Sequence, residues 1–240
     1  MQEITNLAGG AIIGFGLAWM LERWVMSFVR KLSVAEPEEL LQENAGKFSK
    51  LFSHWGIYIG MTITAAALSE WRQWSPELLN DLILITALVG IAWIDRKTLL
   101  IEGRLIALAM GLRLLWLSFF APQEMLNFLT GLLIGAGILY FIGFLYETFR
   151  HRQGLGEGDA AVLGLIGLWV GWQGLGTVLL IAALSGIIIG GISLLRQRKV
   201  NQNIPDLLQT QIPFAPFLCL GGLIVYFLQE TGFIMTGFGF

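Results

Sequence analysis

Long apolar runs dominate this chain, and polar residues cluster in the short stretches between them instead of alternating with them. A helix that crosses a bilayer needs about 20 mostly apolar residues, within a range of about 17–25. Runs of that kind occupy residues 7–29, 51–69, 105–120, 125–149, 175–195 and 214–228. Two shorter runs, 82–94 and 160–172, each lie beside an aspartate. The pattern predicts an all-α polytopic membrane protein of about eight transmembrane helices, built as a single transmembrane domain over residues 1–240.

Composition narrows the class. Hydrophobic residues make up 55% of the 240-residue chain and charged residues 13%, against about 45–50% and about 25% in an ordinary soluble domain. So few polar residues cannot cover the surface of a soluble domain of this size; the expected surroundings are a lipid bilayer. A net charge of −2, with no cluster of more than three basic neighbours, leaves no nucleic-acid footprint. The lone Cys219 excludes an internal disulfide and a cysteine-based zinc site. Residues 1–6 carry no basic side chain, so the first apolar run is expected to stay as a span and not to leave as a signal peptide.

The fifteen basic residues orient the spans. All except Arg72 and Arg113 lie in or border the first, third, fifth and seventh connections. By the positive-inside rule those connections are cytoplasmic, and both termini lie on the non-cytoplasmic side. Residues 30–50 form a short cytoplasmic loop with Glu36, Glu38, Glu39 and Glu43, suited to a surface helix or a solvated linker. Gly10 with Gly14, Gly131 with Gly135 and Gly186 with Gly190 are small-residue pairs at helix-packing spacing. Arg113, inside the fourth span, calls for an interior partner or a path to the interface.

Carboxylates are costly at membrane depth and tend to be functional when found there. Most acids here flank spans, where water is near; Asp95 and Asp159 differ in context. Asp95 precedes Arg96-Lys97-Thr98, after which Leu99-Leu100-Ile101 is apolar again. The third span is therefore expected to end at the cytoplasmic boundary with a short re-entering segment behind it. Asp159 closes Gly154-Leu155-Gly156-Glu157-Gly158-Asp159 and opens the sixth span from the same side. Gly156 and Gly158 are candidates for shaping a site, because glycine permits conformations and close approaches that other residues do not. Two carboxylates at one membrane face suit general acid–base hydrolysis. Sharing one proton, one activates water while the other protonates the carbonyl oxygen and later the leaving amine. Such chemistry needs no metal and no cofactor. On the residues alone, a plain span-boundary aspartate is the competing reading.

At these positions the sequence resembles the type IV prepilin peptidase family of membrane aspartic peptidases. Three segments carry the resemblance. Ile94-Asp95 with Thr98-Leu99-Leu100-Ile101 is similar to the stretch around the family's first catalytic aspartate. Gly156-Glu157-Gly158-Asp159, followed by Gly167-Leu168-Trp169-Val170-Gly171-Trp172, is similar to its Gly-x-Gly-Asp segment. Pro213-Phe214-Ala215-Pro216 is similar to the Pro-Phe-Gly-Pro stretch that opens its last span. Departures are also present. Ile101-Glu102-Gly103 stands where the family has Ile-Pro-Asp or Ile-Pro-Asn, Glu157 takes a position that is often aromatic or apolar, and Ala161 one that is often lysine. Glu102 and Glu157 are thus candidates for substrate contact or for tuning the shared proton.

The resemblance implies that Asp95 and Asp159 are the catalytic pair, acting without a cofactor. It implies prepilin or pseudopilin substrates with a short basic leader, a glycine before the cut and a hydrophobic helix after it. The setting would be the bacterial inner membrane, in a type IV pilus or type II secretion system. Glu102, Glu157 and the loop acids are expected to draw the leader past Arg96 and Lys97. Many members carry a zinc-binding Cys-x-x-Cys domain linked to methylation between the first two spans. Residues 30–50 have no cysteine, so neither zinc nor methyltransferase activity is expected of this short form. Two other classes stay open: a transporter with an aspartate-based proton or cation site, and a catalytically inactive assembly factor. Oligomeric state is also open.

Overall fold

The computed structural model describes residues 2–35, 54–150, 156–200 and 213–233. Packing divides the chain into two units, Met1–Pro122 and Gln123–Phe240. The first contains α1 (Gln2–Ala35), α2 (His54–Arg72), α3 (Pro76–Thr98) and α4 (Gly103–Phe120). A 3-10 turn at Pro122–Glu124 follows, then α5 (Met125–Arg150), α6 (Glu157–Val200) and α7 (Ala215–Glu230). The all-helical membrane reading holds: among the described residues there is no strand, and five helices are long and apolar enough to cross a membrane. α1 and α6 run on into the polar residues that bound their apolar runs, because hydropathy marks where lipid lies and not where helical hydrogen bonding stops. The rest of the acidic loop, with the surface helix considered for it, lies outside the described residues.

In the first unit α1 and α2 run antiparallel at close range. A Cβ at Gly10 would stand 2.6 Å from the Ala65 carbonyl, and one at Gly14 would stand 2.6 Å from that of Met61. Gln73 (φ 49°) and Trp74 (φ 62°) then turn the chain through the left-handed region. Three polar contacts hold that costly turn. The Trp74 indole donates to Asn6 Oδ1 at 2.9 Å, Ser69 Oγ donates to the Asn6 carbonyl at 2.8 Å, and Arg72 Nε pairs with Asp81 at 2.8 Å. α3 is the core of this unit, with 61% of its apolar window buried against 17% for α5. Arg113 finds its interior partner there, donating to Asn80 Oδ1 at 2.7 Å while 3% exposed.

In the second unit residues 162–171 are buried without a break, so this part of α6 has no lipid-facing side. α5 lies antiparallel against it, with Gly131 facing Gly167 and Gly135 facing Leu163. A Cβ at Gly131 would come within 2.2 Å of the Gly167 carbonyl oxygen, so only a hydrogen fits. At Gly171 (φ 68°, ψ 174°) α6 breaks, in a conformation that is nearly exclusive to glycine. The 44 residues of α6, if straight, would reach about 66 Å, twice the roughly 30 Å of a bilayer core. α7 reveals what the break accomplishes. Along α7, Phe217, Gly221 and Gln229 meet Gly186, Val178 and Gly174, which is an antiparallel order. Gly222 meets Ile166, and Gln229 Nε2 donates to the Val170 carbonyl at 3.1 Å, which is a parallel order. The two parts of α6 therefore run in opposite directions, as a helical hairpin. Of the small-residue pairs, the first two make close contacts, whereas Gly186 meets only the Phe217 ring at an ordinary 3.7 Å.

Candidate active site

Asp95 closes the buried run Trp93-Ile94-Asp95 of α3 and is 5% exposed. The helix stops within a turn. Leu99 adopts a left-handed conformation (φ 53°, ψ 21°), and its N–H donates to the Asp95 carbonyl at 2.8 Å. Thr98 Oγ1 donates to the Ile94 carbonyl at 2.9 Å and accepts the Leu100 N–H at 3.3 Å. Residues 99–102 are therefore a short link into α4, which corrects the expected re-entering segment. Three apolar residues are too few to re-enter a bilayer, and the capping contacts turn the chain directly into the next helix. Lys97 lays its ammonium 5.1 Å from the centre of the Trp93 ring, so its charge folds back along the helix.

Glu102 sits at the N-cap of α4, and its carbonyl accepts the Leu105 N–H at 3.2 Å. Its side chain is buried, with the carboxylate accepting the Trp24 indole N–H from α1. Two residues earlier on α1, Glu22 accepts the Tyr58 hydroxyl. Asp95 thus stands at the end of a core helix whose exit is tied by hydrogen bonds both to itself and to α1.

Asp159 is placed differently. α6 starts at Glu157, so Asp159 lies in its first turn, with its N–H donating to the Gly156 carbonyl at 3.0 Å. The carboxyl end is half-buried, and Ala160, Val162 and Leu163 behind it are buried. A Cβ at the exposed Gly156 would come 3.5 Å from Asp159 Oδ2. That is an ordinary contact distance, which places Gly156 beside the Asp159 carboxylate. Gly158 is half-buried in the same turn. Residues 151–155 and the side chain of Glu157 lie outside what is described. The two aspartates belong to different packing units, and each environment stands on its own.

Sequence reasoning missed Trp24, Tyr58, Asn80 and Gln229. Each is a polar group whose partner lies far along the chain, so no local spacing announces it. Glu102 was visible as a departure from a pattern, but its partner was not.

These features define a helical membrane protein in which each of two core helices carries an aspartate at one end. The chain belongs to the type IV leader peptidase family, whose pattern matches residues 82–191 and so includes both aspartates. It is similar to the prepilin leader peptidase/N-methyltransferase of Escherichia coli K12, with 30% identity over 165 residues, 68% of this chain and 70% of that protein. The protein of that name from Legionella pneumophila is 30% identical over 71% of this chain, and that from Pectobacterium carotovorum is 33% identical over 72%. The match covers 58% of each of those two proteins. No solved structure matches the chain.

Proposed function

We propose that the chain is a multi-pass peptidase of the bacterial inner membrane that removes the leader of prepilin-like proteins, with Asp95 and Asp159 as its paired acid and base. The observation that carries this reading is that each aspartate lies at an end of a buried helical stretch, Asp95 closing the core helix α3 and Asp159 standing just before the buried run 162–171. The hairpin at Gly171 supports reading α6 as two passes, which brings the proposed count to eight. The C-terminal end of the third pass and the N-terminal start of the sixth then open on one face. The distribution of basic residues makes that face cytoplasmic and puts both termini on the other side.

The chemistry follows from two carboxyl groups and one proton. A carboxylate takes a proton from water as its oxygen adds to the scissile carbonyl carbon, and the protonated partner gives its proton to the carbonyl oxygen. The tetrahedral adduct collapses as one of its hydroxyls returns a proton to the partner, the C–N bond breaks, and the amine leaves with a proton from the first group. One of Asp95 and Asp159 starts as the base while the other holds the shared proton. Relatives named for prepilin processing support the substrate class, a basic leader followed by a hydrophobic helix. The methyltransferase half of their name is not carried over, because residues 30–50 are short and lack cysteine.

Co-expression with a prepilin-type substrate in membranes tests this. Asp95→Asn and Asp159→Asn are each expected to lower cleavage at least about a hundredfold while the protein stays in the membrane. Cleavage that persists in either variant, or none by the wild type on any such substrate, rejects the reading.

A further inference from the structure

Glu102 is buried where a charge-recruiting residue would be expected to face water. Its carboxylate points to the Trp24 indole on α1. Its backbone opens α4, and the strained Leu99 capping the Asp95 carbonyl stands three residues earlier. A left-handed leucine persists only when its surroundings over-determine it. On the α3 side, Thr98 and the Leu99 N–H hold this turn. On the far side, the Trp24 indole donates to the Glu102 carboxylate. This contact crosses 78 residues of sequence and ties the exit of the Asp95 helix to a different helix.

We propose that Glu102 is a positioning residue, which locks the α3–α4 link to α1 through Trp24 and so fixes the end of α3 that carries Asp95. This rests on the reading of Asp95 as catalytic and replaces the expected role of Glu102 in attracting a basic leader. A carboxylate that works by accepting one indole hydrogen bond is replaceable by an amide, whose oxygen accepts the same bond. A carboxylate that works by its charge is not.

The test compares Glu102→Gln, Glu102→Ala, Trp24→Phe and the Glu102→Ala/Trp24→Phe double variant in membranes, with two readouts. In prepilin cleavage, Glu102→Gln is expected to stay within about twofold of wild type. Glu102→Ala and Trp24→Phe should each lower kcat about tenfold with KM little changed, since small misplacements of a reacting group cost rate. The double variant should be no worse than either single change. In the second readout, a water-soluble carbodiimide labels carboxyl groups and mass spectrometry reports Asp95. Its labelling should rise several-fold in Glu102→Ala and Trp24→Phe and stay at the wild-type level in Glu102→Gln. A Gln variant as impaired as the Ala variant, with KM raised, overturns the proposal in favour of charge attraction. Unchanged Asp95 labelling in Glu102→Ala and Trp24→Phe also overturns it. A wild type that cleaves nothing while the labelling pattern appears rejects the peptidase reading and leaves the lock standing.

Discussion

The two units each hold an aspartate-bearing helix in a core, by opposite means. Around α3 the ties are polar side chains: Arg72 to Asp81, Arg113 to Asn80, Trp24 to Glu102, Ser69 to Asn6. Around the first part of α6 the ties are backbone approaches through glycine, Gly131 against Gly167 and Gly135 against the Leu163 carbonyl, with Gln229 tending the break at Gly171. In lipid there is little hydrophobic gain from bringing helices together, so either packing or hydrogen bonding has to do it. The surroundings of α3 rely more on bonds and those of the first part of α6 more on fit, while α1 and α2 also meet closely through Gly10 and Gly14. The two aspartate-bearing helices should therefore fail to different substitutions: loss of a polar partner around one, addition of a methyl group around the other.

The largest effect is expected at the buried ion pair. Arg72→Ala removes the guanidinium that faces the fully buried Asp81 and should cost about 3–5 kcal/mol of stability, read as a lower thermal midpoint in detergent. Gly131→Ala should cost about 1–3 kcal/mol in the same assay, because its Cβ meets backbone that cannot yield easily. If Gly131→Ala is harmless while a polar deletion in the second unit is not, the contrast between the units is wrong. Gln229→Leu supplies that deletion, expected at about 1 kcal/mol for a freed Val170 carbonyl beside the break. The smallest effect sharpens the argument. Gly137 has nothing within 4 Å of a built Cβ, so Gly137→Ala should stay within about 1 kcal/mol of wild type or gain slightly. A loss there as large as at Gly131 would mean that helix flexibility, and not close approach, sets the cost.

Much of this is legible in the amino-acid sequence. The apolar runs mark the helices because a bilayer tolerates no other backbone arrangement in a chain without strand patterning. Asp95 and Asp159 stood out because acids are scarce, and the end of the 160–172 run fell beside Gly171, where α6 breaks. Helix ends in polar sequence were misjudged, as at Ala35 and Val200, since hydropathy does not register hydrogen bonding. The link after Asp95 was misread because Leu99-Leu100-Ile101 is apolar, whereas its geometry is set by the left-handed Leu99 cap. The Trp24–Glu102 and Asn80–Arg113 contacts could not be read at all, because tertiary pairing of single polar residues leaves no periodic trace.

The central claim is that the two aspartates, one in each unit, work as a pair, and cross-linking tests it most directly. In a Cys219→Ser background, Asp95→Cys combined with Asp159→Cys should be bridged by a short thiol-reactive cross-linker in native membranes. Asn80→Cys with Arg113→Cys serves as the positive control. Bridging of the 95/159 pair as readily as the control is the expected result; a control that cross-links while the 95/159 pair does not would contradict the account.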